Sequence, residues 1–149
     1  MPTNDEALAA LDRFVGEWTM GSSLAPAGED APRAVTSFEW LTGRRFLVQR
    51  WEIDVPDAPD GIAVIGFDTE DGPLVQHYFD SRGVARVYTM TFTNGRWTLE
   101  RIATAPDFSQ RFTGTFGPDG DTIDGVWELS HDRGATWETD FSLTYTRAH

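Results

Sequence analysis

Short strand-forming segments at regular intervals are the feature of this sequence that most limits its fold. From Ala34 onward, runs of β-branched and aromatic residues alternate with turn signals roughly every ten residues. An earlier segment around Gly16–Ser22 alternates in the same way. This rhythm predicts an all-β antiparallel meander, and the length of 149 residues predicts one domain over 1–149. Besides the first strand, we predict strands near 34–41, 44–53, 61–68, 73–80, 84–93, 96–103, 108–116, 121–129 and 137–146.

The two ends of the chain carry complementary features. Thr3 and Glu6 form a capping-box pattern, and apolar residues at helical spacing behind it predict a short helix over 5–14 that packs over one end of the sheet. The helix leads into a strand in which Trp18 faces the core, because side chains alternate with period 2. The last strand ends with Arg147 on its apolar face. A buried cation needs a partner, and stacking on an aromatic ring supplies one.

A first strand with the Gly-x-Trp pattern, entered from a short helix, together with an arginine at the end of the last strand, resembles the calycins, the superfamily of lipocalins and fatty-acid-binding proteins. The segments Gly66-Phe67-Asp68, His77-Tyr78-Phe79-Asp80-Ser81-Arg82-Gly83 and Tyr145-Thr146-Arg147 are similar to a family of small bacterial lipocalin-like domains of unknown function. The resemblance implies a single up-and-down β-barrel of about ten strands with a short N-terminal helix. It also implies that Trp18 and Arg147 close one end of that barrel.

Composition excludes several classes of partner and chemistry. The formal charge is −12 and the sequence pI is near 4.4, so phosphate backbones and anionic membrane surfaces would repel the protein. We therefore expect neither nucleic acid nor a membrane as a partner. The absence of cysteine excludes disulfides, thiolate metal sites and a cysteine nucleophile. No apolar run reaches the length of a signal peptide or a membrane span, which favours a cytoplasmic protein.

Hairpin registers indicate which side chains share the interior. A two-residue turn at Asn94-Gly95 sets Met90 opposite Leu99 and Tyr88 opposite Arg101. If the turn at Arg82-Gly83 has two or four residues, His77 falls on the same face. This face is more apolar than the other, on which Gln76 and Asp80 would lie, so we assign it to the interior. It comprises Val75, His77, Phe79, Arg86, Tyr88, Met90, Phe92, Trp97, Leu99 and Arg101.

The next hairpin predicts space inside the barrel. Its turn sets Gly114 opposite Gly125 and Phe112 opposite Trp127, so the wall would thin where two strands lack side chains. Cationic and hydroxyl donors among aromatic residues suit a hydrophobic or amphipathic anionic ligand, with no cofactor or metal. A filled barrel, in which the arginines pair with buried acids, is the alternative. The predicted ligand-binding residues are His77, Arg86, Tyr88, Met90, Trp97, Arg101, Phe112 and Trp127.

Three other functions remain open. A small barrel enzyme would use His77 with Tyr88 for acid–base chemistry, although no catalytic sequence motif is present. A haem protein resembling nitrobindin would need an axial histidine, which the last strand lacks, so only His77 is left for that role. An interaction module would use the strand after Arg45, which carries apolar residues on both faces, and a homodimer is one form of it.

Two loops have distinctive patterns. The segment Ala25 to Pro32 is rich in proline and small residues and predicts either a flexible connection or a portal over the barrel. The segment Ser130 to Trp137 resembles the Asp-box of sialidase propellers. Because it occurs as a single copy, we predict a rigid hairpin turn in which Asp132 binds turn amides, without glycosidase activity.

Overall fold

The computed structural model describes residues 3–148, so Met1, Pro2 and His149 lie outside the description. Ten antiparallel strands form a closed barrel in which each strand pairs with its sequence neighbours and β1 pairs with β10. The fold class and the number of strands predicted from the sequence are confirmed. The strands are β1 Gly16–Ser22, β2 Ala34–Trp40, β3 Phe46–Ile53, β4 Gly61–Phe67, β5 Leu74–Asp80, β6 Ala85–Thr93, β7 Arg96–Arg101, β8 Ser109–Phe116, β9 Thr122–Ser130 and β10 Glu138–Arg147.

The chain before β1 forms a short helix, as predicted. Helix α1 spans Asn4–Ala10 and continues as a 3-10 helix, Leu11–Phe14. The hydroxyl of Thr3 caps α1 by accepting a 3.1 Å hydrogen bond from the Glu6 amide. Leu11 and Phe14 are fully buried, so this segment inserts its apolar side into one end of the barrel. A further 3-10 turn, Gly28–Asp30, lies in the loop between β1 and β2.

Several registers agree with the predicted turns. Met90 pairs with Leu99 across the Asn94-Gly95 turn. Gly114 pairs with Gly125, and Phe112 pairs with Trp127, across the following hairpin. Local turn chemistry therefore fixed the pairing of β6 with β7 and of β8 with β9.

The β5–β6 hairpin differs from its prediction. Its loop closes between the Asp80 amide and the Val84 carbonyl, 3.0 Å apart, and therefore holds three residues. Gly83, at φ 85°, supplies the left-handed residue that such a loop needs. An odd loop length moves the pairing by one residue and reverses every side chain of β5. Gln76 thus pairs with Tyr88, and His77 pairs with Val87.

This reversal corrects the predicted interior at one strand. Val75, His77 and Phe79 lie on the outer wall, contrary to prediction. Their places inside the barrel are taken by Leu74, Gln76, Tyr78 and Asp80, of which Gln76 and Asp80 had been assigned to the outside.

Aromatic side chains fill one end of the barrel, which we call the closed end. Phe14 lies 4.9–5.2 Å, ring to ring, from four aromatic neighbours contributed by β2, β6, β7 and β8. Trp18 is fully buried beside them and donates a 2.9 Å hydrogen bond to the Phe14 carbonyl. The closed end is thus plugged by the 3-10 helix and the rings around it: Phe14, Trp18, Phe38, Phe92, Trp97 and Phe116.

Arg147 packs across the closed end, where the sequence placed it. Its guanidinium lies 4.1 Å above the Trp18 ring and donates hydrogen bonds of 2.8 Å to the carbonyls of Arg13 and Val15. Gly16 makes this approach possible, because a Cβ there would lie 3.0 Å from the arginine's Nη1 and its φ is 129°.

The outer wall carries an apolar strip across β3, β4 and β5. Phe46 and Val48 of β3 face outward beside Val64 of β4, and Val48 and Val75 are each only 9% exposed. The homodimer stays a prediction. Within residues 3–148, no helix combines the length and the apolar character that crossing a membrane requires.

Candidate functional site in the barrel interior

A cavity of about 630 Å³ occupies the interior away from the closed end. The loops that follow β1, β3, β5, β7 and β9 surround its mouth, and we call this part of the molecule the open end. Residues of the predicted portal, among them Pro26 and Pro32, lie at the rim. Most of the lining is aromatic or aliphatic, including Trp51, Tyr78, Phe108, Trp127, Phe141 and Leu143.

Five of the eight predicted ligand-binding residues line this cavity: Arg86, Tyr88, Trp97, Phe112 and Trp127. Met90 is 2% exposed and belongs to the core cluster, outside the lining. Arg101 also lies outside the lining, although it contacts Phe108, which borders the cavity. His77 is on the other side of the wall.

The space in the cavity does not come from the paired glycines. A Cβ on Gly125 would lie 2.5 Å from the Phe112 ring, and one on Gly114 would lie 2.9 Å from the same ring. Phe112 therefore fills the gap that the two glycines leave, and the wall is not thin there. The glycines instead allow a large aromatic side chain to lie flat against the sheet.

Arg101 is held by a carboxylate. It donates to the two Asp107 oxygens at 2.9 and 3.3 Å and to the Phe108 carbonyl at 2.8 Å. This hydrogen bonding lowers the pKa of Asp107 to about 2. Arg101 thus braces the loop between β7 and β8 under the cavity rim, and the pairing expected for a filled barrel holds at this position.

Arg86 has no such brace. Its guanidinium lies over the Phe108 ring, 5.5 Å from the centroid, and makes no ion pair with a carboxylate in the described chain. It is half-buried and lines the cavity. A guanidinium in an apolar wall without a counter-charge is able to bind an incoming anion.

Tyr88 adds a neutral polar group beside this cation. The ring is 1% exposed, and its hydroxyl donates a 2.8 Å hydrogen bond to Oε1 of Gln110. Burial raises the pKa of Tyr88, and the neighbouring charges of Arg86 and Arg101 act against that rise. The phenol is therefore protonated at neutral pH and offers its oxygen as an acceptor.

A polar network at the mouth was missed by the sequence reading because it depends on the register of β5. The Asp80 side chain is fully buried and accepts hydrogen bonds from the Tyr78 hydroxyl at 2.5 Å and from Nη2 of Arg82 at 2.6 Å. Hydrogen bonds from Arg82 lower the pKa of Asp80. Burial and the adjacent carboxylate raise the pKa of Tyr78, whose ring stacks on Trp51 at 5.4 Å. Only the odd loop length could have revealed this arrangement.

His77 does not belong to the site. Its Nε2 lies 3.0 Å from both carboxylate oxygens of Asp68 on the outer surface. The wall separates it from the cavity and from Tyr88. The pairing of His77 with Tyr88 proposed for catalysis is therefore wrong, and so is the placement that would have let His77 bind a haem inside the barrel.

The Asp-box segment forms the predicted rigid turn. Asp132 accepts a 2.8 Å hydrogen bond from the Thr136 amide and a 2.7 Å hydrogen bond from the Ser130 hydroxyl. These hydrogen bonds lower its pKa to about 2. The turn lies at the open end and joins β9 to β10.

A family model matches residues 3–117, which include α1, β1 through β8, and the cavity residues Arg86 and Tyr88. The chain belongs to the family described as protein of unknown function, DUF1579. The match to DUF1579 ends before β9 and β10, which carry Trp127 and Arg147. No curated protein matches the chain.

A solved structure supports the fold of this DUF1579 member. The crystal structure of Rv2717c from M. tuberculosis superposes with a TM-score of 0.58 at 18% identity. The match covers 96% of this chain and 98% of Rv2717c. At this identity the likeness shows a common barrel fold.

Proposed function

We propose that the protein binds a small amphipathic organic anion, such as a medium-chain carboxylate, inside its barrel. The proposal depends on one observation: the wall of an apolar cavity of about 630 Å³ contains Arg86, a cation without an ion-pair partner. Ligand cavities in proteins commonly measure about 300–1,000 Å³ and combine apolar walls with a few polar groups. The cavity fits that description.

The charges around the mouth favour a ligand with a single negative charge. A carboxylate at Arg86 would form charge-assisted hydrogen bonds and restore a counter-charge to the guanidinium. Asp57 and Asp140 also border the cavity, and the whole chain carries a charge of −12. A second anionic group on the ligand would be repelled by these carboxylates.

Relationship with the calycins is part of the same proposal. It is supported by the helix that enters a Gly-x-Trp strand and by Arg147 stacked over Trp18 at the closed end. An open end with a cavity opposite such a plug is the arrangement that the resemblance implies for a ligand-binding barrel.

Calorimetric titration with octanoate tests the proposal. We expect octanoate to bind, and Arg86→Leu to weaken that binding by at least about tenfold, since a hydrogen bond to a charged group contributes roughly 1.5–3 kcal/mol. The matched control is Arg50→Leu, because Arg50 is exposed on the outer face of β3. It should leave the affinity unchanged.

Octanol, the neutral counterpart of octanoate, separates charge recognition from apolar burial. Its binding should be the same in the wild type and in Arg86→Leu. Octanoate affinities that are equal in the wild type and the Arg86 variant would refute the proposed head-group site. Lack of any binding by octanoate and octanol would refute a ligand-binding barrel of this kind.

A further inference from the structure

Four polar side chains lie deep in the cavity, below the level of Arg86. Gln49, Gln76, Trp97 and Tyr145 all line it, yet their exposures are only 6, 3, 2 and 4%. We call these four residues the cavity floor. They come from β3, β5, β7 and β10, so the floor spans the barrel from wall to wall.

The hydrogen bonding of the floor is incomplete. The amide nitrogen of Gln49 donates to the Thr36 hydroxyl at 3.2 Å, and Gln49 also interacts with the Tyr145 hydroxyl. By contrast, Oε1 of Gln76 and Nε1 of Trp97 are buried without a hydrogen-bond partner in the protein. One acceptor and one donor thus face the cavity unpaired.

Such groups require an explanation, because buried polar atoms in native proteins almost always have partners. An apolar residue at position 76 would avoid the cost of desolvating an amide. The neighbouring floor positions show that this barrel does pair buried amides where a protein partner is available, as it does for Gln49. A ligand group that both donates and accepts would complete the floor.

The register gives the depth of this site relative to Arg86. Arg86 pairs with Tyr78, and Gln76 pairs with Tyr88, so Gln76 lies two residues farther into the barrel. Two residues of a β-strand span about 7 Å. A ligand with its anionic group at Arg86 therefore reaches the floor with its opposite end after a short apolar segment.

We propose that the ligand is polar at both ends: an anionic group binds at Arg86, and a hydroxyl or carboxamide group binds at the floor between Gln76 and Trp97. This inference rests on the proposed function and narrows its ligand class from simple fatty acids to hydroxylated or amidated carboxylates. The apolar walls between the two sites hold the segment that joins them.

The test compares octanoate with 8-hydroxyoctanoate on the wild type and on two variants. Gln76→Met keeps an unbranched side chain of similar size and removes the amide. Because it replaces an unpaired buried amide by an apolar group, we expect it to fold with undiminished thermal stability. Arg86→Leu is the matched variant at the other end of the ligand.

We expect the wild type to bind 8-hydroxyoctanoate about fivefold more tightly than octanoate, as one recovered neutral hydrogen bond allows. Gln76→Met should remove this preference and leave octanoate affinity within about twofold. Arg86→Leu should weaken both probes while keeping the preference, which shows that the two ends act separately.

Two outcomes overturn the inference alone: equal wild-type affinities for the two probes, or a preference for the hydroxylated probe that survives Gln76→Met. In both cases water meets the floor groups, and octanoate binding that depends on Arg86 would still uphold the proposed function. The wild-type comparison stands even if the Gln76 variant fails to fold. Absence of binding by both probes overturns the proposed function and the inference with it.

Discussion

The two ends of this barrel each place an arginine against an aromatic ring, but the two arginines differ in what surrounds them. At the closed end, Arg147 lies 4.1 Å above Trp18 and also donates to the carbonyls of Arg13, Val15 and Gly120. At the open end, Arg86 lies 5.5 Å from the centroid of Phe108 and has no ion-pair partner in the described chain.

The difference separates stability from binding. The closed-end cation is already satisfied by the protein, so its interactions stabilise the fold and leave nothing for a ligand. The open-end cation stabilises little and keeps its donors for another molecule. Stacking on a ring is therefore insufficient to indicate the role of an arginine, and its remaining donors have to be traced.

The largest loss of stability should come from removing the ring at the closed end. We expect Trp18→Ala to lower the free energy of unfolding by about 4 kcal/mol, because it leaves a cavity in a packed aromatic cluster. Urea denaturation measures this. The control, Trp127→Ala, removes a half-buried ring that borders an existing cavity and should cost less than half as much. Equal losses would contradict the division between the two ends.

The next effect concerns the cation above that ring. Arg147→Met should lower the free energy of unfolding by about 3 kcal/mol, since it leaves the carbonyls of Arg13 and Val15 without their donor and removes the stacking interaction. The melting temperature checks this prediction, and a variant as stable as the wild type would show that the strands close the barrel without the arginine.

Asp80→Asn tests whether the open end also contributes to stability. We expect a loss of about 2 kcal/mol at neutral pH, because the buried carboxylate accepts from Tyr78 and Arg82. The pKa of Asp80 is lower in the folded protein than in the unfolded chain, so its contribution is complete above the unfolded pKa, near 4, and declines as the pH falls toward the folded value.

Denaturation of both proteins between pH 2 and pH 7 checks the sign. The stability difference between the wild type and Asp80→Asn should be constant above about pH 5 and shrink below about pH 4. A difference that widens on acidification would contradict the assigned ionisation of Asp80.

The smallest change should follow Arg86→Leu. We expect the free energy of unfolding to change by less than about 0.5 kcal/mol, since only a stacking contact with Phe108 is lost and no ion pair is broken. Thermal melting without ligand measures this. A marked destabilisation would mean that Arg86 supports the fold, as Arg147 does.

Much of the fold could be predicted because its signals are local. Period-2 alternation located the strands, and Asn94-Gly95 fixed the pairing of β6 with β7 by its turn type alone. Trp18 and Arg147 could be placed at one end because each lies at a known position on a terminal strand.

The site was less predictable because it depends on one loop length and on packing between distant strands. Counting two or four residues in the loop before β6, where the chain has three, exchanged His77 for Gln76 in the interior. The side chain of Phe112 then occupies the space between the two paired glycines, which no pattern within a single strand reveals.

The pairing of β1 with β10 also determines when this protein can finish folding. Arg147 and the Val15 carbonyl, which are hydrogen-bonded, lie 132 residues apart in the sequence. During synthesis, the first strand therefore has one unpaired edge until the last strand leaves the ribosome, and the ninth strand waits with another. Exposed strand edges pair readily with other chains. The nascent chain is consequently most prone to aggregation just before its final strand is in place.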